Sequence, residues 1–384
     1  MNRQALPTVT HLAPLTWLRA LAAFLVVVSH SMRGAEVSYF PSDGEPTLLL
    51  VRLFDLGDFG VCLFFVLSGC TLTLSTHHRL KSLAGIGPFY LRRFMRIWPA
   101  FAVSLLVYLV FISLFRLTYE EDQRPWVVAF TNRYSFEEVL RYLSLTYNIT
   151  GPRNLFNMAY WSLPVEFQYY LLLPFALLLM KGRRATLFIP IVFGATLLGI
   201  DHFMTLPFDR TEVFGLGWTF FGGVLLAALW NPQKAGLNPM AGALLAIIFF
   251  VFLTLDEADL LPLRIHHLGL SPVTHYGLTA VLLVAIGLHF RAPPLPQRFK
   301  ELLEGYGEVS YSIYLYHVLC INGAILILNR GHWATPNQKL LFILITALLS
   351  SFFLGKIGYR LIEQPSILLG RRWTMKMHEE KSPC

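Results

Sequence analysis

Charge is what this 384-residue chain has least of: only 14% of its residues are Asp, Glu, Lys or Arg, where a soluble domain carries about a quarter. A charge-poor, 55% hydrophobic chain of mean hydropathy +0.54 is not a soluble globular enzyme but an integral membrane protein. Cysteine is also sparse. The four present, Cys62, Cys70, Cys320 and Cys384, show neither metal spacing nor a disulfide framework, and Cys62 and Cys70 lie too far apart along one predicted helix to bridge. No metal is expected. There is no low-complexity tail, no Gly/Ser linker, no convincing internal repeat and no soluble stretch long enough for a second domain. The short polar N-terminus leads into an apolar run that contains Arg19, which reads as an uncleaved first span rather than a signal peptide. A net charge of +8 raises nucleic acid as a partner, but the basic residues lie between apolar spans, as juxtamembrane anchors do, so none is expected.

About twenty apolar residues cross a bilayer as a helix, and ten windows qualify: 12–32, 56–76, 97–117, 160–180, 185–204, 211–230, 238–255, 272–290, 308–329 and 338–361. The windows 211–230 and 272–290 are weakest, being rich in Gly or polar residues. The expected fold is an all-α polytopic membrane protein, about 10 transmembrane helices in a single bundle over residues 1–370, with a basic cytoplasmic tail, 371–384. With the N-terminus cytoplasmic, the inner segments collect Arg3; Arg79, Lys81, Arg92, Arg93 and Arg96; Lys181, Arg183 and Arg184; Lys234; Arg291, Arg298 and Lys300; and Arg371, Arg372, Lys376 and Lys381. That is seventeen; the outer segments hold eleven, several of them in the long 118–159 loop, which counts little, and only one of them, Lys339, is a lysine, so both termini are placed in the cytoplasm. In the outer loop 118–159, Phe136, Val139, Leu140 and Leu143 recur at helical spacing, as in a helix lying on the membrane surface. Asn148-Ile149-Thr150 is a glycosylation sequon by pattern alone.

Ionisable residues inside apolar spans are costly and usually face a cavity or a partner. Arg19 and His30 are eleven residues apart on the first span, close to three full turns, so they project from one face at different depths. Snorkelling to headgroups accounts for both. A shared polar path along the helix accounts for them equally well, and for the deeper Arg19 better. Ser68-Gly69 on the second span permits close approach by a neighbouring helix or a ligand. Arg92, Arg93 and Arg96, in a loop preceding the third span, anchor the chain by the positive-inside rule or clamp a phosphate. Glu166 is an acid within the fourth span, two residues after Pro164, which is expected to kink or loosen the turn. A carboxylate at that depth needs a partner or a proton. Tyr311, Tyr314, Tyr316 and His317 form a polar aromatic patch opening the ninth span, either interhelical or functional.

Taken together and in this order, these stretches resemble the acyltransferase family 3 membrane proteins, among them O-antigen and exopolysaccharide O-acetyltransferases. The resemblance rests on Arg19 and His30 with ten residues between them, Phe64 to Gly69 as "FFxLSG", Arg92-Arg93-x-x-Arg96, Trp161 to Glu166 as "WSLxxE", Ser310 to His317 as "SYSxYLxH" and Ile362-Glu363-Gln364-Pro365 near the end. Two positions depart from the pattern: Thr16 and Cys62 stand where the family usually has aspartate. Many relatives carry an appended extracytoplasmic esterase-like domain, and this chain looks like the stand-alone form.

The resemblance implies transfer of an acyl group, most often acetyl, from cytoplasmic acyl-coenzyme A (acetyl-CoA as donor) to a hydroxyl of a cell-surface glycan, a lipid-linked saccharide or a related acceptor, in the bacterial cytoplasmic (inner) membrane. On that reading His30 is the general base, since an imidazole titrates near neutral pH. Glu166 supports His30 or positions the acceptor hydroxyl. Arg19 stabilises donor phosphate or developing oxyanion charge. Arg92, Arg93 and Arg96 hold the coenzyme A phosphates, Ser68 and Gly69 line the acyl entrance, and His317, with Tyr311 and Tyr314, is a secondary candidate. The competing reading from the residues alone is a secondary transporter or exporter, although no paired halves with matching broken helices are evident.

Overall fold

The computed structural model describes residues 12–36, 54–119, 126, 133–151, 155–203, 212–233, 235–257, 272–328 and 335–379. Arg3, Lys234, Lys381, Cys384 and most of the 120–132 stretch, all used in the sequence reading, lie outside the described residues. Within them the structure is helical, and the only β feature is one isolated bridge between Leu237 and Phe290. In chain order the helices are α1 (Ala13–Gly34), α2 (Gly57–Thr76), α3 (Ile86–Tyr119), α4 (Phe136–Leu143), α5 (Tyr147–Thr150), α6 (Ser162–Leu179), α7 (Arg183–Phe203), α8 (Glu212–Leu229), α9 (Pro239–Glu257), α10 (Pro272–His289), α11 (Gln297–Glu308), α12 (Ser310–Leu328), α13 (Pro336–Gly358) and α14 (Gln364–Glu379). Short 3₁₀ turns at Leu83–Gly85 and Met158–Trp161 lead into α3 and α6, and a π turn, Tyr359–Glu363, joins α13 to α14.

Eight described helices are long and apolar enough to cross a membrane, and Val213–Leu229 and Val273–His289 are shorter apolar helices. The two short ones fall in the two windows that read weakest in the sequence. Helices suit this solvent because every backbone N–H and C=O is satisfied within the segment. The span of α7 is only 6% buried and exposes Phe188, Ile191 and Val192; α9 likewise exposes Leu244, Ile247 and Ile248. In water such apolar faces would drive aggregation; against lipid tails they need no cover. The chain is therefore an integral membrane protein.

The described chain divides into two compact units. The first comprises Met1–Val26, Leu56–Ile86 and Leu172–Glu308. Its centre is α8, which packs on α2, α7 and α10. Glycines set those contacts: a Cβ on Gly69 would meet the Phe220 carbonyl oxygen at 2.0 Å, and one on Gly223 would meet that of Val66 at 2.0 Å. Small residues let helices approach backbone to backbone where lipid supplies no hydrophobic drive for association. The two departures from the family pattern are packing positions here. The carbonyl of Thr16 fills the space beside Gly307, and the Cys62 thiol lies 3.9 Å from the Val273 carbonyl.

The second unit comprises Val27–Asp55, Gly87–Leu171 and Val309–Cys384. In it α12 packs along α13. Tyr90 donates to the Leu171 carbonyl at 2.7 Å and Ser104 meets Tyr160 at 2.7 Å, so α3 and α6 run antiparallel. Three expectations are corrected in this unit. Arg92, Arg93 and Arg96 lie inside α3, not in a loop before it, because the helix starts at Ile86. Pro164 does not loosen α6: it sits in the first turn, where the missing N–H has no intrahelical acceptor, and the interior proline is Pro174. Asn148 is buried and its amide pairs with Gln168 at 3.1 Å, so the sequon has no exposed acceptor nitrogen. The helix expected around Phe136 is present as α4, capped by reciprocal Ser135–Glu138 bonds, with Phe136 and Leu140 exposed.

Gly69→Ala is expected to destabilise the protein by about 1–3 kcal/mol through overpacking against α8. Gly199→Ala, where nothing lies within 4 Å of the added carbon, serves as the control. Midpoints of thermal unfolding in detergent check this: only the first should fall.

Candidate active site

In the second unit, His30 of α1 and His317 of α12 meet through Nδ1 and Nε2 at 2.9 Å, with His30 8% and His317 0% exposed. Each imidazole is placed by its helix. α12 opens "SYSIYLYH", which puts His317 over the carbonyls of Tyr314 (2.9 Å) and Ile313 (3.3 Å), both facing its Nδ1. A carbonyl only accepts, so His317 Nδ1 carries the proton. In the neutral ring Nε2 is then the acceptor, and the hydrogen to it comes from His30 Nδ1. The basic lone pair of His30 is thereby assigned to Nε2. A chain of two imidazoles ending on a backbone carbonyl thus fixes a tautomer, as a carboxylate does in hydrolase triads. The Trp126 ring lies 6.5 Å from that of His30.

Around this pair two tyrosines of the aromatic patch, Tyr311 and Tyr314, are hydrogen-bonded to neighbouring elements. Tyr314 donates to the Ala159 carbonyl at 2.5 Å, which leaves its oxygen to accept from Ser162 at 2.7 Å. Tyr311 donates to the Ile97 carbonyl of α3 at 3.0 Å. These bonds tie α12 to α3 and to the start of α6.

A second polar group in the same unit gathers the arginines and two carboxylates. Arg93 has Glu166, Tyr170, Arg92 and Arg96 within electrostatic reach, and its Nε is buried with no hydrogen-bond partner among the described residues. Glu166, half-buried on α6, accepts a hydrogen bond from Tyr170 one turn on. The sequence reading has Glu166 support His30 or position the acceptor hydroxyl; the contacts described here are with Tyr170 and Arg93. Arg96 lies 3.9 Å from Glu363, which is 0% exposed and accepts from Ser312 at 2.8 Å. Glu363 is the last residue of the π turn, a geometry that often marks functional sites. The sequence reading used Glu363 only as part of an ending motif and gave Ser312, Trp126 and Asn322 no role.

The remaining candidates lie in the first unit. Arg19 Nη2 donates to Thr71 Oγ1 of α2 at 3.0 Å, where α1 and α2 are close enough that a Cβ on Gly60 would meet the Ala22 carbonyl at 2.8 Å. Ser68 is half-buried. Gly69 faces the α8 backbone, so the neighbouring helix, not a ligand, occupies the space that its missing side chain leaves. Among the described residues no group of three His, Cys, Asp or Glu side chains is placed to hold a metal ion.

The second unit of this polytopic membrane protein thus carries a buried imidazole pair with a fixed tautomer and, separately, a group of arginines with two carboxylates. The family model described as an acyltransferase domain matches residues 13–356, and the chain belongs to that family of acyl-transferring membrane enzymes. Among its relatives, "Nodulation protein 10" of Rhizobium leguminosarum bv. viciae is 26% identical over 389 residues, covering 92% of each chain. "Peptidoglycan O-acetyltransferase OatA" of Listeria monocytogenes is 27% identical over 339 residues, 80% of this chain and 51% of that one. "O-acetyltransferase OatA" of Staphylococcus aureus is 26% identical over 340 residues, 80% of this chain and 52% of that one. The chain thus spans about half the length of the OatA relatives that it matches. No solved structure matches it.

Replacing His317 by Phe removes the acceptor for His30 Nδ1–H while keeping a ring in place. Turnover is expected to fall about 10²-fold. Initial rates of acyl transfer by the purified variant check this, with size-exclusion elution matching the wild type as the folding control.

Proposed function

We propose that this chain is an O-acyltransferase of the bacterial cytoplasmic membrane that moves an acyl group, most often acetyl, from cytoplasmic acyl-coenzyme A to a hydroxyl of a cell-surface glycan or related acceptor. The observation that carries the reading is the His30–His317 pair. A hydroxyl is a poor nucleophile near neutral pH, and His30 Nε2, with its lone pair fixed by the relay to the Tyr314 carbonyl, is a general base suited to activate it. The names of the OatA relatives, one of them a peptidoglycan O-acetyltransferase, support acetyl as the group moved and a glycan as acceptor.

The donor is assigned to the arginines of α3. Coenzyme A carries phosphates that guanidinium forks match, and Arg93 and Arg96 are one turn apart on a helix, on one face. The unpartnered Arg93 Nε supports a ligand there. Glu166 and Glu363 hold Arg93 and Arg96 in place before the donor arrives, and Arg92 adds to the positive field. Arg19 serves developing charge or donor phosphate from its position beside Thr71, and Ser68 keeps its assigned place at the acyl entrance. The donor itself supplies an activated thioester; the chain supplies position, a base and charge stabilisation.

The topology that accompanies this reading has about ten spans, the eight long helices plus the two shorter ones, with both termini cytoplasmic. On this topology the α3 arginines would face the cytoplasm, where acyl-coenzyme A is found. The family match runs through both compact units, which supports one domain over residues 1–370 followed by a basic tail, 371–384.

The test is acceptor-dependent release of coenzyme A thiol from acetyl-CoA by purified, reconstituted protein, using glycan-bearing membrane vesicles as acceptor. Wild type is expected to release thiol only with acceptor present, and His30→Ala to lose about 10²–10⁴-fold in turnover. A secondary transporter releases no thiol in either case. Wild-type turnover in a properly inserted His30→Ala variant removes the base assignment.

A further inference from the structure

Asn322 lies on α12, five residues after His317, and is 0% exposed. Its Oδ1 accepts from Trp126 Nε1 at 2.7 Å. An indole nitrogen only donates, so the amide orientation is set: the oxygen faces the indole and the NH₂ faces away. That Nδ2 has no hydrogen-bond partner among the described residues. A fully buried amide donor left unpaired costs free energy, and native interiors rarely keep one without a reason.

The position of this donor gives the reason. The Trp126 indole that orients it also lies against the His30 ring, 6.5 Å between centroids. Gly34, one turn after His30 and on the same face of α1, leaves room for the arrangement: a Cβ there would meet Ile321 at 2.7 Å and Trp126 at 3.4 Å. One turn of α1 thus carries the base, and the next carries the gap that admits the indole. His30 is bound to His317 and lies beside the Trp126 ring, and that indole in turn orients Asn322, whose Nδ2–H is left without a partner among the described residues.

We propose that Asn322 is the oxyanion donor of the acyl transfer and that Trp126 is its positioning residue. The inference rests on His30 acting as the base. In the step, His30 Nε2 takes the proton of the acceptor hydroxyl as its oxygen bonds to the thioester carbonyl carbon. The carbonyl π pair moves onto oxygen, and Asn322 Nδ2–H holds the charge that develops there. The tetrahedral centre then collapses, the C–S bond breaks with its electron pair on sulfur, and the proton on His30 passes to that sulfur, giving ester and coenzyme A thiol. A donor fixed in advance and aimed at developing charge acts in the transition state more than in the ground state.

The experiment measures [¹⁴C]acetyl transfer from acetyl-CoA to membrane vesicles carrying native surface glycans, with Asn322→Leu, Asn322→Asp, Trp126→Phe, the Asn322→Leu/Trp126→Phe double variant and His30→Ala. Binding stoichiometry for acetyl-CoA reports the folded fraction of each. Asn322→Leu is expected to lose about 10²–10³-fold in kcat, at wild-type stoichiometry and unchanged KM for acetyl-CoA. Asn322→Asp, which keeps the shape but places an acceptor at the oxyanion, is expected to lose at least as much. Trp126→Phe should lose less, and the double variant should fall no more than about twofold below Asn322→Leu, as residues acting through one another do. Should Asn322→Leu fail to fold, Asn322→Asp and Trp126→Phe carry the test. The proposal is overturned if either Asn322 variant keeps kcat within twofold, if KM rises at constant kcat, or if the double variant loses the product of the single losses. An active His30→Ala overturns the base assignment, and this inference with it. An inactive His30→Ala beside an Asn322→Leu of wild-type kcat overturns the oxyanion role alone.

Discussion

The carbonyl of Tyr314 decides where a proton sits two residues away in space. It accepts from His317 Nδ1, which leaves His317 Nε2 as an acceptor, which in turn draws the hydrogen of His30 Nδ1. Both imidazoles are buried, so solvent competes little for these positions and the relay has one low-energy arrangement. The rest of the second unit reads as support for it. Tyr314 and Tyr311 bind α12 to backbone carbonyls at Ala159 and Ile97, which fixes the rotation of the helix that carries His317. The aromatic patch thereby becomes intelligible. The hydroxyls of Tyr311 and Tyr314 hold α12, and with it the imidazole that meets His30.

The arginine group obeys the same constraint differently. Three guanidinium groups within two turns of α3 repel one another in a medium that screens them poorly. Glu166 and Glu363 come from helices distant in sequence to offset that repulsion. Glu363 is also bound at close range to a neutral partner on α12, Ser312 at 2.8 Å. The arginines are thereby supported by carboxylates rather than left as an isolated cationic group.

Much of this was legible in the sequence, for physical reasons that differ by element. Apolar runs announce helices because the bilayer permits little else, so the windows around α1, α2, α6, α7 and α9 lie within a few residues of the observed helices. Arg19, His30, Glu166 and His317 stood out because each is costly where it sits. The partners did not stand out. Trp126 and Asn322 are unremarkable types at their positions, and only the chain's path brings an indole from between α3 and α4 onto α12. The grouping of Glu166 with Arg93 follows from the antiparallel run of α3 and α6, which no local pattern encodes. The helical start at Ile86 was hidden by Gly85, Gly87 and Pro88, which read as a loop but sit at the helix entrance, where they are tolerated.

The π turn between α13 and α14 has one more consequence. Such a turn holds an extra residue relative to α-helical winding, and one residue corresponds to about 100° of rotation. It acts as a phase shift between two otherwise continuous helices. The apolar phase of α13 is chosen by its packing on α12, while the phase of α14 is chosen independently, so that Gly370 sits against Met95 and Arg92 of α3. Glu363 stands at the point where the two phases meet. Its inward aim is therefore a property of the winding rather than of its own side chain, and any change in residue count along this segment would turn the acid away from Arg96 with every side chain intact.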